Sequence, residues 1–135
     1  MPKLVYIAHP VGGGVEENVK EILNICREVH TSEIIPVAPY LVAVQYLNDK
    51  ISEDRELGIA ANREFFRRGL IDEVWVYGCK ISHGMREEIR LSVQHHIPVI
   101  CKNQDLQSGL EKLLKEFRAE LVKELDKTLE NLRPD

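Results

Sequence analysis

The sequence predicts an α/β domain in which helices cover both faces of a parallel sheet. Short apolar runs rich in β-branched residues alternate along the chain with longer stretches whose apolar residues recur at helical spacing. Two neighbouring strands that are joined by a helix run parallel, because the helix brings the chain back to the end of the sheet at which the first strand began. We therefore expect four to five parallel strands.

Four apolar segments are predicted to form strands. They are residues 3–8, 34–38, 73–78 and 97–101. Pro36 counts against the second segment, because proline has no N–H to donate to a neighbouring strand. The remaining three segments end in polar or glycine-containing turns, as buried strands commonly do.

Helices are predicted between these strands. Apolar residues recur at helical spacing over 15–29. A second helix is predicted over "PYLVAVQYL" (39–47) and begins at Pro39, since proline is favoured in a first turn. Residues 53–69 are helical in pattern and stop at Gly69, and residues 85–95 form a further predicted helix.

The end of the chain, residues 105–135, is predicted to be one long helix after a domain that spans 1–104. Its first half is expected to pack on the sheet. Its second half is too long for a compact domain, and a leucine stripe left in water is costly, so we expect it to contact a neighbouring subunit of a homo-oligomer. The stripe comprises Leu106, Leu110, Leu113, Leu114, Phe117, Leu121, Leu125 and Leu129.

Composition narrows the classes of partner. The 135 residues suffice for one domain, and the formal net charge of −4 argues against a nucleic acid polymer. No leading signal segment is recognised, and no apolar run approaches the roughly 18 residues of a membrane span. The three cysteines are widely separated and form no CxxC pair. We expect a cytoplasmic protein without a metal or cofactor and without a membrane partner.

In an open parallel sheet, ligands bind beyond the carboxyl ends of the strands. Three loops of this chain lie there: "HPVGGG" (9–14), "APY" (38–40) and "GCKISHGMREE" (78–88). The glycines of the first loop let backbone N–H groups approach an anion at the following helix N-terminus. The loop is neither GxGxxG nor a P-loop, and a flexible strand-to-helix turn explains it equally well.

The third loop runs into "SHGMREEI". Ser82 is a candidate helix cap whose hydroxyl also suits a phosphate, and Gly84 permits close approach of a ligand. Glu87 and Glu88 follow at the start of the next helix. Compensation of the helix dipole by two acids is the alternative explanation of this pair.

The segments "YIAHP" (6–10), "PVAPY" (36–40), "NRE" (62–64) and S-x-G-x-x-x-E-I (82–89) come in an order that resembles the nucleoside 2-deoxyribosyltransferase superfamily. The chain looks most like its branch of small domains and like the related 2'-deoxynucleoside 5'-phosphate N-hydrolases. The similarity covers roughly residues 3–101. It implies a Rossmann-like (flavodoxin-like) fold and a subunit assembly of two or more copies.

The resemblance also implies roles for individual residues. Glu88 stands in the place of the glutamate nucleophile that attacks C1' of the sugar, and Tyr6 in the place of the tyrosine that holds it. Glu64 ends "NRE", where the family has N-x-D, and is the third candidate catalytic residue. The implied substrate-binding residues are His9, Gly12, Gly13, Gly14, Asn62, Ser82, Gly84 and Met85.

The chemistry of such a site is consistent with these residue types. Breaking a glycosidic C–N bond builds positive charge on the sugar, which a carboxylate stabilises and can trap covalently. His9 and Glu64 are candidates to protonate the leaving base. A helix N-terminus and a tyrosine hydroxyl favour the charged form of a carboxyl, so we expect Glu88 to be ionised at neutral pH.

Three functions remain open from the sequence. The Tyr6–Glu88 pair favours an enzyme that binds a nucleoside or nucleotide and cleaves or transfers its N-glycosidic bond. The glutamate in place of aspartate, and the lack of a basic residue in the first loop, favour a non-catalytic module that senses or sequesters nucleotides. An assembly protein whose tail matters more than its pocket is the third alternative.

Overall fold

A computed structural model describes residues 1–133 and contains one four-stranded, all-parallel sheet in the order β2-β1-β3-β4. This arrangement confirms the predicted α/β, Rossmann-like fold with a long C-terminal helix. The strands are β1 (Lys3–Ala8), β2 (Ile34–Val37), β3 (Glu73–Val76) and β4 (Val99–Cys101). The helices are α1 (Val15–Val29), α2 (Tyr40–Ala43), α3 (Ser52–Arg67), α4 (His83–Gln94) and α5 (Gln107–Asn131), with a 3-10 turn at Gln104–Leu106.

The bounds of α2 and β4 differ most clearly from the prediction, while β2 and β3 each end one or two residues earlier than predicted. The helix that was expected to begin at Pro39 consists of the four residues of α2, and turns occupy most of the chain before α3. β4 begins at Val99 because His96 has a positive φ of 56° and Pro98 has no N–H to donate. Pro36 is tolerated because β2 lies at the edge of the sheet, where it pairs with β1 alone.

Alternation along the strands divides the core into two clusters. Tyr6 and Val74 face the larger cluster, which also receives Phe66 of α3, Ile89 of α4 and Leu110 of α5. On the other face, Val5, Ile7 and Trp75 pack against α1. Residues 5–8 of β1 are completely buried, since this strand lies inside the sheet with helices on both sides.

The helices that follow the two central strands, β1 and β3, lie on opposite faces of the sheet. After β1 the chain enters α1 on one face, whereas after β3 it enters α4 on the other face. Adjacent strands whose connections leave to opposite faces form a crevice at their carboxyl ends, which is where ligands bind in doubly wound folds. The β1–β3 crevice is therefore the position that this topology prepares for a site.

The long helix α5 packs beside α4 on the face of the larger cluster. Leu110 and Phe117 are buried, and the guanidinium of Arg90 lies 4.6 Å from the centroid of the Phe117 ring. The end of the same helix contacts little, and its apolar residues are exposed, as described below. Among residues 1–133, no helix is both long and apolar enough to cross a membrane. The last two residues of the predicted C-terminal segment, 134–135, lie outside the described part of the chain.

Candidate active site

The β1–β3 crevice is formed by two loops in direct contact. Gly78, just after β3, has a positive φ of 96°, and a Cβ atom there would lie 2.5 Å from Cδ of Pro10 in the loop after β1. The carbonyl of Gly78 accepts a hydrogen bond of 2.7 Å from Nδ2 of Asn103. Glycine is therefore required at this position both for its backbone conformation and for the approach of the two loops.

A cap at Ser82 sets the start of α4 and thus the position of Glu88. The Ser82 hydroxyl accepts a hydrogen bond of 3.3 Å from the backbone N–H of Met85, while the Ser82 N–H points at the Met85 sulfur at 3.4 Å. The hydroxyl proton of Ser82 remains available to a ligand, since the oxygen acts here as an acceptor. Met85, in contrast, is completely buried and packs in the core.

Glu88 lies in the second turn of α4 and points into the protein. It is only 8% exposed, and its Oε2 atom has no hydrogen-bond partner among the described residues. The helix dipole does not account for it, because no acidic residue lies in the first turn and the effect of the dipole fades beyond that turn. A buried, unpartnered carboxyl oxygen carries a desolvation cost, and such atoms are found more often at functional sites than in an ordinary core.

Tyr6 is the side chain that faces this carboxyl. It is fully buried inside β1, two residues before the strand ends, and its hydroxyl is close enough to stabilise the charged form of Glu88, although neither group has a hydrogen bond of good geometry. Its ring centroid lies 5.1 Å from that of Phe66 and 6.0 Å from that of Tyr40. Aromatic packing on two sides thus fixes the phenol against Glu88.

Burial controls the ionisation of this pair. Desolvation raises the pKa of Glu88 to about 8, against the smaller opposing effect of the Tyr6 hydroxyl. The pKa of Tyr6 is well above its ordinary value, first because of burial and then because of the charge of Glu88. The expectation that Glu88 is ionised at neutral pH is therefore wrong, because burial shifts its pKa above neutrality. Desolvation outweighs the single favourable contact.

His9 lies on the other side of the crevice from Glu88. It is 3% exposed, and its parity along β1 places it on the α1 face with Ile7. Its Nδ1 atom is 2.7 Å from the carbonyl of Pro10 and therefore carries the hydrogen. Its Nε2 atom lies 3.3 Å from Oε2 of Glu21 on α1, without the geometry of a hydrogen bond.

The glycine loop is ordered by an asparagine that the sequence analysis did not identify. Nδ2 of Asn18 on α1 donates hydrogen bonds to the carbonyls of Val11 (3.0 Å) and Gly12 (3.2 Å). Gly13 and Gly14 have φ values of 76° and 137°, and open space surrounds the position of a Cβ at either residue. Because Asn18 binds the carbonyls of the loop, the backbone N–H groups of the loop can face a ligand. An asparagine one helical turn after the glycines was the available signal.

The "NRE" segment lies on α3, and the side chains of its first and last residues, Asn62 and Glu64, face different sides of the helix. Asn62 is partly buried and precedes the core residue Phe66 by one turn on the same side of the helix. Glu64 is turned away by about 200° relative to either residue. Its carboxylate pairs with Arg67 and Arg68 at the surface, and the Arg67 hydrogen bonds are the main cause of its lowered pKa. The structure therefore places Glu64 outside the Tyr6–Glu88 pair.

Tyr40 is a second residue of the site that is not among the candidates predicted from the sequence. Its hydroxyl donates a hydrogen bond to the carbonyl of Ile7 in β1, which fixes α2 above the end of the sheet. Burial raises the pKa of Tyr40 well above its ordinary value, and the charge of Glu88 raises it further. The segment "PVAPY" was the signal, since it ends on this tyrosine.

The remaining candidates are exposed. Gly84 lies at the surface in the first turn of α4, with nothing within 4 Å of a Cβ built there, and Gly12 is equally open. No three His, Cys, Asp or Glu side chains within residues 1–133 are close enough together to hold a metal ion. The polar groups around the crevice are thus hydroxyl groups, amide groups, the His9 ring and the Glu88 carboxyl.

The fold and this crevice define a class: α/β proteins with an open parallel sheet and a buried carboxyl at the point where the connections reverse. Within that class, residues 3–102 match the family "Domain of unknown function (DUF7768)", which is well over half of the chain, so the protein belongs to this family. No curated protein and no solved structure matches the chain.

Proposed function

We propose that the protein binds a nucleoside or nucleotide in the β1–β3 crevice and cleaves or transfers its N-glycosidic bond, with Glu88 as the attacking group. The observation that carries this proposal is the Glu88 carboxyl, which is buried, lacks a partner at Oε2 and faces the Tyr6 hydroxyl. The resemblance to the nucleoside 2-deoxyribosyltransferase superfamily supports the same roles for both residues.

The proposed reaction has two displacements at C1' of the sugar. A carboxylate oxygen of Glu88 bonds to C1' while the C–N bond breaks, and the bonding electrons leave with the base nitrogen. Water then attacks C1' and releases Glu88, so that the water oxygen ends on the sugar and one of its protons on the base. In a transfer reaction the nitrogen of a second base replaces the water.

Burial lowers the population of the charged form of Glu88 but strengthens the electrostatic interactions of that form. Near positive charge on the sugar, a carboxylate in a low-dielectric site interacts more strongly than one in water. The Tyr6 hydroxyl remains protonated because its pKa is well above its ordinary value, and it can donate to the ionised carboxyl. Since the pKa of Glu88 is about 8, we expect kcat/KM to rise with pH until about that value.

A 5'-monophosphate is the favoured form of the substrate. The N-termini of α1 and α4 open at the carboxyl ends of β1 and β3, the two strands that form the crevice, and the glycine loop and the Ser82 hydroxyl precede them. Helix N-termini and free backbone N–H groups favour a phosphate. The first loop has Val11 and glycines where a basic residue would add affinity, so we expect binding to depend on neutral donors.

Release of free base tests the proposal. The protein is incubated with matched panels of nucleosides, 2'-deoxynucleosides and their 5'-monophosphates, and free base is separated and quantified. We expect Glu88→Ala to lower turnover at least about 1,000-fold, because the attacking group is lost. Glu87→Ala is the control, since Glu87 lies on the same turn but pairs with Arg90. Equal turnover by wild type and Glu88→Ala would overturn the role of Glu88.

A non-catalytic nucleotide-binding module is the second candidate, and two observations favour it. Burial raises the pKa of Glu88, which disfavours the charged form that would attack the sugar, and Glu64 is engaged by arginines instead of facing the crevice. Calorimetry distinguishes the two functions: a nucleotide that binds with micromolar affinity and is recovered intact after prolonged incubation supports the binding module.

We place the protein in the cytoplasm as part of the same proposal, with a small molecule as its partner and no need for a cofactor, nucleic acid polymer or membrane. The support is chemical. Cys26, Cys79 and Cys101 are all free thiols in the structure, which suits a reducing compartment.

A further inference from the structure

Four apolar residues in the second half of α5 and at its C-cap are more than half exposed. Val122, Leu125, Leu129 and Leu132 are 56%, 54%, 61% and 73% exposed. Their spacing of three, four and three residues puts them on one narrow stripe of the helix, which is the spacing of a seam between two helices. We call these four residues the tail stripe.

The tail stripe begins inside a groove and then runs past it. A groove of about 490 Å³ lies between α5 and the turn that leads from α4 into β4, and Val122 and Leu125 form part of its wall. Ile97, Pro98 and Val99 form the opposite wall. Because Val99 begins β4, this edge groove lies at the amino edge of the sheet, away from the β1–β3 crevice. The inference is therefore independent of the proposed function.

We infer that the edge groove and tail stripe form a two-fold interface with a second copy of this chain, in which the two α5 helices run antiparallel. The partner's Leu129 packs against Leu125, and the partner's Leu132 packs against Val122 in the groove. By symmetry, the tail of this copy fills the groove of the other. The interface thus lies on one continuous face of each subunit.

Self-complementarity is the reason why a second copy is the occupant. In the sequence, Val122 and Leu132 lie five residues on either side of Lys127, while Leu125 and Leu129 lie two residues on either side. An antiparallel pair centred there gives each stripe residue an apolar partner. A two-fold interface requires this property, since each patch must fit itself after rotation.

The available area also favours the reciprocal arrangement. Full burial of an aliphatic side chain removes roughly 60–120 Å² of apolar surface. The tail of one copy alone would bury only about half of what a specific interface needs, whereas two tails and two grooves together reach on the order of 1,000 Å².

The first test measures mass in solution by sedimentation or light scattering at tens of micromolar. We expect a dimer for wild type and a monomer for Leu129→Glu, because the charge would be buried against the apolar side chain of the partner's Leu125. Leu57→Glu is the matched control, since Leu57 of α3 is 60% exposed and Leu129 is 61% exposed. Circular dichroism checks that both variants are folded. A monomeric wild type, or a dimer that Leu129→Glu leaves intact, overturns the inference.

The second test determines the direction of the helices. In a Cys79→Ser background, which removes the exposed native thiol, Val122→Cys and Leu132→Cys proteins are prepared and oxidised separately and as a 1:1 mixture. We expect a disulfide-linked dimer only in the mixture, because the antiparallel pair brings position 122 next to the partner's position 132. Cross-linking of each variant to itself, or no cross-link in any sample, contradicts the antiparallel arrangement.

Discussion

The β1–β3 crevice and the tail stripe both contain groups that lack favourable contacts, but these groups are polar and buried in the crevice and apolar and exposed on the tail. In the crevice, polar atoms of Tyr6, His9 and Glu88 are buried without hydrogen-bond partners. On the tail, apolar side chains such as Leu129 are exposed without contacts to cover them. Buried polar atoms require a polar ligand that enters, whereas exposed apolar atoms require an apolar surface that covers them. The two ends of the sheet therefore call for different kinds of partner.

The first part of helix α5 packs on the core and stabilises the fold, whereas its end does not. Phe117→Ala tests the packed part. The Phe117 side chain is 2% exposed and contacts Arg86 and Arg90 through its ring face. We expect a loss of about 3–5 kcal/mol in the free energy of unfolding, as for other buried phenylalanines. Urea denaturation measures it. Glu116→Ala, at an exposed neighbouring position, is expected to change it by less than about 0.5 kcal/mol.

Glu88 should make the stability of the crevice depend on pH. Its pKa is about 8 in the folded protein and lies near the ordinary value of 4.5 in the unfolded chain, so the folded state holds the proton over this range. Stability is thus greatest below pH 4.5 for this group and is lost as pH rises towards 8, at up to about 1.4 kcal/mol per pH unit.

Glu88→Gln isolates this contribution, because an amide mimics the protonated carboxyl and does not titrate. Between pH 5 and 8, we expect wild type to lose roughly 3 kcal/mol relative to Glu88→Gln in denaturation experiments. Glu87→Gln should keep the wild-type slope, since Glu87 is partly exposed and paired with Arg90. Parallel pH profiles for wild type and Glu88→Gln would show that Glu88 is solvated.

Gly78→Ala tests the contact between the two loops of the crevice. The added Cβ would lie 2.5 Å from Cδ of Pro10 at a φ of 96°. Strain and overlap together are expected to cost about 2 kcal/mol in unfolding free energy. Gly12→Ala is the control, because nothing lies within 4 Å of its Cβ and its φ is not positive. Equal effects of the two substitutions would mean that the loops separate easily.

Asn18→Ala is expected to have the smallest effect. It removes two hydrogen bonds to the glycine loop, of which one is partly buried. We expect a loss of about 1 kcal/mol in unfolding free energy and weaker binding of a 5'-monophosphate, whereas binding of the matched nucleoside stays unchanged. Asn24→Ala, at an exposed position of the same helix, serves as the control. Unchanged monophosphate affinity would show that the loop is only a turn.

Local patterns were sufficient to predict most of the fold. Each strand of the structure overlaps a predicted apolar segment, since alternation and β-branching are properties of neighbouring residues. The length of α2 was overestimated, because apolar residues after Pro39 look helical whether or not the chain has room to continue. The prediction of four to five strands includes the four that the structure has, and after β4 the chain continues into α5.

The candidate site was predicted less completely. The loops of the crevice follow from the rule for parallel sheets, and the parity of β1 explains why Tyr6 and His9 face opposite sides. The contribution of Asn18, the steric demand at Gly78 and the arginines around Glu64 could not be predicted, since each depends on side chains that meet only after folding or on the helix face a residue occupies.

The sequence by itself determined the alternation of strands and helices, the parallel sheet and the loops that lie at its carboxyl edge. Only the tertiary structure decided that burial raises the pKa of Glu88 and that the first part of α5 is packed while apolar residues of its last part are exposed. The physical reason is the range of the forces involved. Periodicity and turn chemistry act between near neighbours in the chain, whereas desolvation and packing depend on everything that surrounds an atom in space.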